Sequence, residues 1–291
     1  MIENNTYFLK IADIFFKIES FYDQYTLKEF KDYITDTVPC EYISVKCILK
    51  DEDLKEPSGK RLTQHSESNW YLAHNGSYAL SFYDAENECI CANMYYDPKR
   101  SEANVELYDV NKHYGVDTEF FLYNILERVF RISLIFNGGF AVHASSIVHE
   151  GWGLAFSAES GTGKSTHTGL WMETYPGTYI LNDDAPALRL KDGTWYMYGT
   201  PWAGTTGINE NVAVPLKALV FLERSTENTI RDASTPEAIR RLFEAIIHPM
   251  SDEVTDIIFD LVSTFISNSK ICVLGCNISP EAPKTVKNYL F

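Results

Sequence analysis

The chain is short of positive charge: of 291 residues, 25 are Lys or Arg against 40 Asp and Glu, a formal net charge of -15. That balance lacks the basic footprint that nucleic-acid backbones and anionic membranes require, so neither is expected as a partner. The acidic excess is read as a solubility feature. Cysteine is sparse too. Six are present, at Cys40, Cys47, Cys89, Cys91, Cys272 and Cys276, with no Cys-x-x-Cys unit or nearby histidine to suggest zinc. They read as reduced, partly buried thiols of a cytosolic protein. The longest apolar segment, residues 120–136, is interrupted by Glu127, Arg128 and Arg131, which excludes a simple membrane span. Glu3, Lys10, Asp13 and Lys17 break up the amino-terminal stretch, leaving no signal-peptide core. The expected location is therefore cytoplasmic. Internal repeats and low-complexity tracts are absent.

What is present divides into two halves, and the length favours two domains over one. Residues 6–20 suggest one or two strands and 26–33 a short helix. Strand-like runs rich in β-branched and aromatic residues then dominate, at 42–49, 70–73, 78–83, 89–96 and 105–108, with 51–67 as a long polar loop. Residues 1–116 thus read as a sheet-rich α+β recognition or scaffold module. From Asp117 the period changes to that of a helix, carried by Phe121, Ile125, Leu126, Val129, Ile132 and Phe136 and stopped by Gly138-Gly139. The second domain is placed at 117–291. Within it, strands are expected at 140–148 and 153–157, a helix at 164–173 and a strand at 179–181. A hairpin follows at 188–198, a loop at 201–211 and a largely buried strand at 216–222. Helices at 236–247 and 252–265 precede a last strand at 271–274.

The most informative segment is Ala158 to Ser165, AESGTGKS, a glycine-rich turn between a strand-like and a helix-like run. Successive backbone N–H groups of such a turn converge on an anion, and the following helix adds the positive end of its dipole. Ser160, Gly161, Thr162, Gly163, Lys164, Ser165 and Thr166 are the expected nucleotide contacts, with Lys164 toward the β/γ-phosphates and the Ser165 hydroxyl on Mg²⁺. Ala158 stands where the motif has its first glycine, which is acceptable if the backbone there is extended.

A carboxylate that holds Mg²⁺ or takes a proton is the second requirement, and Asn182-Asp183-Asp184 lies directly after the next strand. In an open α/β sheet that puts both carboxylates at the carboxyl edge shared with the loop. Two adjacent carboxylates resist joint ionisation unless a cation intervenes, so a metal ligand beside a general base is reasonable. The same tripeptide is good turn material. His143, mid-strand by alternation, could touch the metal or the γ-phosphate, although a lone strand histidine is more often a hydrogen-bonded core residue. Trp202 either flanks an acceptor pocket or packs on the core. Arg240 and Arg241 either stabilise transferred charge or form a solvated face. His167, beside Thr166 at the start of the helix, could line the site.

The run His143-Ala144-Ser145-Ser146, then GLAFSAESGTGKSTH, then Asn182-Asp183-Asp184 resembles the nucleotide-binding core shared by HPr kinase/phosphorylase and ATP-dependent phosphoenolpyruvate carboxykinase. The match covers roughly residues 140–223. It implies an α/β fold with a P-loop-containing mixed sheet core and a smaller sheet-rich N-terminal α+β module. It further implies ATP and Mg as cofactors, Lys164 and His143 in the site, Asp183 as base, and Ser165 with Asp184 as metal ligands. The substrate-binding arginines of a carboxykinase have no counterpart here, and the segment from Gly199 to Gly207 does not match the Gly-rich segment of the bifunctional HPr enzymes. The chain looks more like divergent HPr-kinase-like proteins, which implies a serine hydroxyl of a protein or peptide as acceptor. Homo-oligomerisation is a further implication of the resemblance. Two other classes stay open: a non-catalytic nucleotide-binding interaction module, and a small-molecule hydroxyl kinase.

Overall fold

A computed structural model describes residues 5–24, 26–65, 67–159, 161–246 and 251–291. It forms two compact units, Met1–Asn137 with His248–Ile257, and Gly138–Ile247 with Ile258–Phe291. Among the described residues each unit carries one nine-stranded mixed sheet. The amino-terminal unit is therefore not the smaller of two sheets, because short edge strands extend it beyond the runs visible in the sequence.

In the first unit β1 (Asn5–Ile11) and β2 (Ile14–Ser20) form a hairpin, followed by a 3₁₀ turn at Lys28–Tyr33 and β3 (Ile34–Thr35). Then come β4 (Ile43–Lys50), β5 (Lys60–Arg61), β6 (Ser68–Leu72), β7 (Tyr78–Asp84), β8 (Cys89–Asp97) and β9 (Glu102–Tyr108). The order is β3-β1-β2-β4-β9-β8-β7-β6-β5, with β2, β4 and β9 mutually parallel. Alternation explains the core: Leu9, Ile11, Phe16, Ile18, Val45 and Cys47 are buried while their neighbours face outward. Helix α1 (Val110–Tyr114) leads into α2 (Thr118–Phe136), which starts where Asp117 accepts from the Glu119 amide at 2.9 Å. The units divide after α2 rather than at Asp117. Its apolar face packs on this unit's sheet, with the Phe130 ring 6.1 Å from Phe16 and the Phe136 ring 6.0 Å from Tyr78.

The second unit opens with β10 (Gly139–Ala141), β11 (Ala144–His149) and β12 (Trp152–Ser157). Helix α3 (Lys164–Thr174), β13 (Tyr179–Asn182), β14 (Ala187–Lys191), β15 (Thr194–Tyr198) and β16 (Ala213–Arg224) follow. Last are β17 (Thr229–Asp232), α4 (Thr235–Ala245), the latter part of α5 (Asp252–Asn268), β18 (Ile271–Cys276) and α6 (Glu281–Leu290). Two hairpins turn at Glu150-Gly151 and Asp192-Gly193, where both residues have positive φ, the geometry that matches strand twist. The main path is β10-β14-β15-β16-β12-β11-β13, and β18 with β17 branches from β16. The twelve-residue β16 pairs with β15 early and with β12 and β18 later, so it joins both parts of the sheet. Ile147, Leu154, Phe156, Val220, Leu222 and Leu274 pack beneath the fully buried Trp171 of α3.

Candidate functional site

Strand direction assembles the site. β12, β16 and β18 are parallel, and β13 is antiparallel to β11, which is itself antiparallel to β12. The carboxyl ends of β12, β13, β16 and β18 therefore lie on one edge with the amino end of β11. That edge carries the glycine-rich loop, Asp183, Asp184 and His143, and carboxyl edges of open α/β sheets are where ligands commonly bind.

The loop takes the conformation its glycines permit: φ is +75° at Gly161 and +110° at Gly163, the left-handed region that side chains disfavour. Ala158 does not have positive φ, so alanine carries no strain in place of glycine there. Gly163 precedes α3 as its cap and supplies no side chain to the first-turn amides, which leaves those donors to an incoming anion. Ser160 lies outside the described residues.

Lys164, His143 and Asp184 form one hydrogen-bonded chain. The Lys164 ammonium lies 2.9 Å from His143 Nε2 and 3.1 Å from the Ala158 carbonyl, and His143 Nδ1 lies 3.0 Å from Asp184 Oδ1. An ammonium only donates, so Nε2 accepts, and the ring proton sits on Nδ1 and goes to the carboxylate. His143 is not mid-strand. The run expected at 140–148 breaks between β10 and β11, where the backbone amides of Val142, His143 and Ala144 bond to Pro186, Ala245 and Asp184 carbonyls instead of continuing a ladder. This break places the imidazole at the loop. Partial burial lowers the Lys164 pKa, opposed by the charges of Asp184 and Asp183.

Asp183 is held differently. It is only 7% exposed, and the Ser145 hydroxyl donates to its Oδ1. Ser145 is itself 3.0 Å from the Thr168 hydroxyl on α3, which links the carboxylate to the helix that starts at Lys164. Neither Ser145 nor Thr168 is singled out by the motif, although Ser145 stands two residues from His143 and Thr168 lies on the loop helix. Asn182 fixes the bend that presents both acids. Its Oδ1 accepts from the amides of Asp184 and Ala185 at 3.0 and 2.7 Å, while its Nδ2 donates to the Thr200 and Trp202 carbonyls at 2.8 and 3.2 Å. Gly204 backs Asp184 so closely that a Cβ there would lie 3.1 Å from the Asp184 Cβ. Trp202 is buried, and its carbonyl is part of this brace.

Two cavities flank the loop within this unit. One, of about 370 Å³, is lined by Gly161, Thr166, His167, Leu170, Leu222 and Ile278 among others. The other, of about 500 Å³, is bounded by His143, Ser157, Glu159, Arg224, Arg240 and Arg241 among others. Arg240 pairs with Glu244 at 2.9 Å and Arg241 with Glu237 at 3.1 Å, so both are part of a charged helix face at the cavity rim.

His167 reaches the first cavity but is almost entirely buried. Trp171 Nε1 donates to its Nε2 at 3.2 Å, which leaves the proton on Nδ1, and burial holds its pKa down to about 4. The unfolded chain takes up that proton near pH 6.5, so stability is full above this value and is lost as the pH falls toward 4, by about 2 kcal/mol at pH 5. Urea midpoints at pH 7.5 and 5.0 should show this slope in the native chain and a shallower one in His167→Gln. An unchanged slope would assign the acid sensitivity elsewhere, for example to His149, whose pKa burial also lowers.

The donor set at the edge suits a hard cation: the hydroxyl of exposed Ser165 and the carboxylates of Asp183 and Asp184 are all oxygen. Among the described residues no group of three His, Cys, Asp or Glu could hold a metal unaided. Mg²⁺ commonly takes only one or two carboxylates and completes its shell with phosphate oxygens and water, so these residues fit it. No helix among the described residues is long and apolar enough to cross a membrane.

No protein-family model matches the chain, and no curated protein matches it. Among solved structures, that of the Hpr(Ser) kinase/phosphatase from Coxiella burnetii is similar over 51% of this chain and 95% of that chain, at 11% identity and a TM-score of 0.31. So slight a likeness carries neither fold nor function, and both rest on the geometry above.

Proposed function

We propose that the chain is a Mg-dependent, ATP-using phosphotransferase that moves the γ-phosphoryl group to a serine hydroxyl of a protein or peptide. The observation that carries the reading is the single hydrogen-bonded chain from Lys164 through His143 to Asp184, with Asp183 next in sequence and the uncapped amides of α3 at its start. Phosphoryl transfer through a loose transition state asks little covalent chemistry of a protein; it needs positioned cations and a proton acceptor.

The polyphosphate lies against the loop amides, and Lys164 gives up the Ala158 carbonyl and His143 to meet the β/γ-phosphoryl oxygens. Ser165 and Asp184 would hold magnesium, which would supply charge neutralisation at the phosphoryl group. The nucleoside enters the cavity lined by Leu170, Leu222 and Ile278, and the acceptor enters the one beside His143. Asp183, fixed by Ser145, takes the hydroxyl proton as the new O–P bond forms and the bond to the leaving nucleoside diphosphate breaks. His143, oriented by Asp184, borders the acceptor. The amino-terminal unit serves as a recognition or scaffold module. Six cysteines without a disulfide support a reducing, cytoplasmic setting.

The test is incubation with γ-labelled ATP, Mg²⁺ and a pool of serine-bearing peptides, followed by phosphosite mapping, with Lys164→Ala as control. Label on serine, absent with the variant, is the expected result. Tight Mg-nucleotide binding with no transfer to any offered hydroxyl would overturn the enzyme reading and leave a nucleotide-binding interaction module.

A further inference from the structure

Arg224 is the cation whose partner is out of keeping with its surroundings. It closes β16, and its Nη2 donates to the Gly161 carbonyl at 2.7 Å, across 63 positions of sequence. Among the described residues no carboxylate lies within ion-pair distance of it. Other exposed cations of this unit have carboxylate partners: Arg231 with Glu237 at 2.7 Å, Arg240 with Glu244 at 2.9 Å, and Lys270 with Asp232 at 2.6 Å. In a chain with 40 acidic residues, a guanidinium left on a neutral oxygen is conspicuous. Glu223, its sequence neighbour, is no remedy: it points to the opposite side of the strand and bonds to Arg241.

Its position is equally specific. Leu222 and Arg224 share one face of β16 by strand alternation, and Leu222 belongs to the core beneath Trp171, so Arg224 is carried to the loop that precedes α3. It borders both cavities that flank the loop. Two cations therefore rest on carbonyl oxygens of the same short loop, Lys164 on Ala158 and Arg224 on Gly161. A carbonyl uses one of the five N–H groups of a guanidinium, whereas a phosphoryl group takes two in a planar fork and brings the opposite charge.

We propose that Arg224 is a second cationic contact for the polyphosphate of the bound nucleotide. It leaves Gly161 and grips phosphoryl oxygens from the side opposite the first turn of α3, between the nucleoside cavity and the acceptor cavity. The inference rests on the nucleotide reading of this loop but adds a residue from a distant strand, and it concerns binding rather than transfer.

Titration calorimetry of the whole chain tests it with three probes: Mg-ATP, inorganic tripolyphosphate and AMP. Arg224→Gln should weaken Mg-ATP and tripolyphosphate by about 10-fold to 100-fold, the loss expected for hydrogen bonds to a charged group, with AMP changed by less than about threefold. Arg224→Lys should recover part of the loss, since it restores charge without the fork. The dependence of log Kd on log salt should become shallower in Arg224→Gln. The side chain is exposed, so thermal midpoints should match the native chain. Arg224→Gln that binds both polyphosphates as the native chain does, while Lys164→Ala loses them, overturns the role of Arg224 alone. Failure of the native chain to bind any polyphosphate overturns both this inference and the nucleotide reading beneath it.

Discussion

Lys164→Ala is expected to weaken Mg-ATP binding by about 100-fold or more and to abolish transfer. About 100-fold corresponds to about 2.7 kcal/mol, within the range for losing a hydrogen-bonded charge at a desolvated anion contact. The ammonium is partly buried and already bonded to His143 and Ala158, so it is held close to the loop with little freedom left to lose on binding. Lys164→Arg should not restore activity, because a planar fork does not reproduce the compact point charge that meets the β/γ-phosphoryl oxygens. Calorimetry measures the affinity, and a thermal melt of the same variant separates binding from stability. If Lys164 merely braced His143 against the loop, the variant would melt early and bind nucleotide normally, and that pattern would sink the catalytic assignment.

Much of this site is legible in the chain because the features that build it are local. Gly161 and Gly163 announce their positive φ, Asp117 announces the start of α2, and Glu150-Gly151 and Asp192-Gly193 mark the hairpins beside alternating runs. The strand–loop–helix–strand order from β12 to β13 follows from such signals, and with it the shared edge of Lys164, Asp183 and Asp184. Long-range choices are different in kind. Nothing local reports that the backbone around His143 abandons its ladder to bond Pro186, Ala245 and Asp184, since each partner is chosen by the packing of a distant segment. The bonds of Ser145 to Asp183 and of Arg224 to Gly161 are hidden for the same reason.

Two missed elements show where the periodic signal was too thin. β17 is four residues long, mostly exposed, and takes its identity from pairing with β18. Helix α6 does carry a pattern, Ala282, Val286 and Leu290 at intervals of four, and Pro283 in its first turn is compatible with a helix start rather than a break. The placement of α2 is a subtler case. Its caps and periodicity fix its ends, but periodicity only says that one face is buried, not which sheet buries it.

Asp183→Asn is expected to lower transfer by about 10³-fold, within the range that a positioned general base contributes, while Mg-ATP affinity stays within about threefold. The asparagine keeps the shape and can still accept from Ser145 through its amide oxygen, so the bend and the first turn of α3 should be undisturbed. On the proposed reading, what disappears is the charge that takes the acceptor's proton. Single-turnover transfer and calorimetry on the same preparation separate the two quantities. Asp184→Asn should behave in the opposite sense: it loosens the partner of His143 and removes a hard ligand, so the magnesium concentration for half-maximal activity should rise. Should Asp184→Asn be the variant that binds well and transfers nothing, the two roles are exchanged. Ser145→Ala reads the same hypothesis through position alone. Asp183 keeps its carboxyl group but loses the donor that fixes it, so kcat should drop about tenfold with little change in KM for ATP, and an unchanged kcat would mean that the bond to Ser145 serves only the packing of β11 against α3.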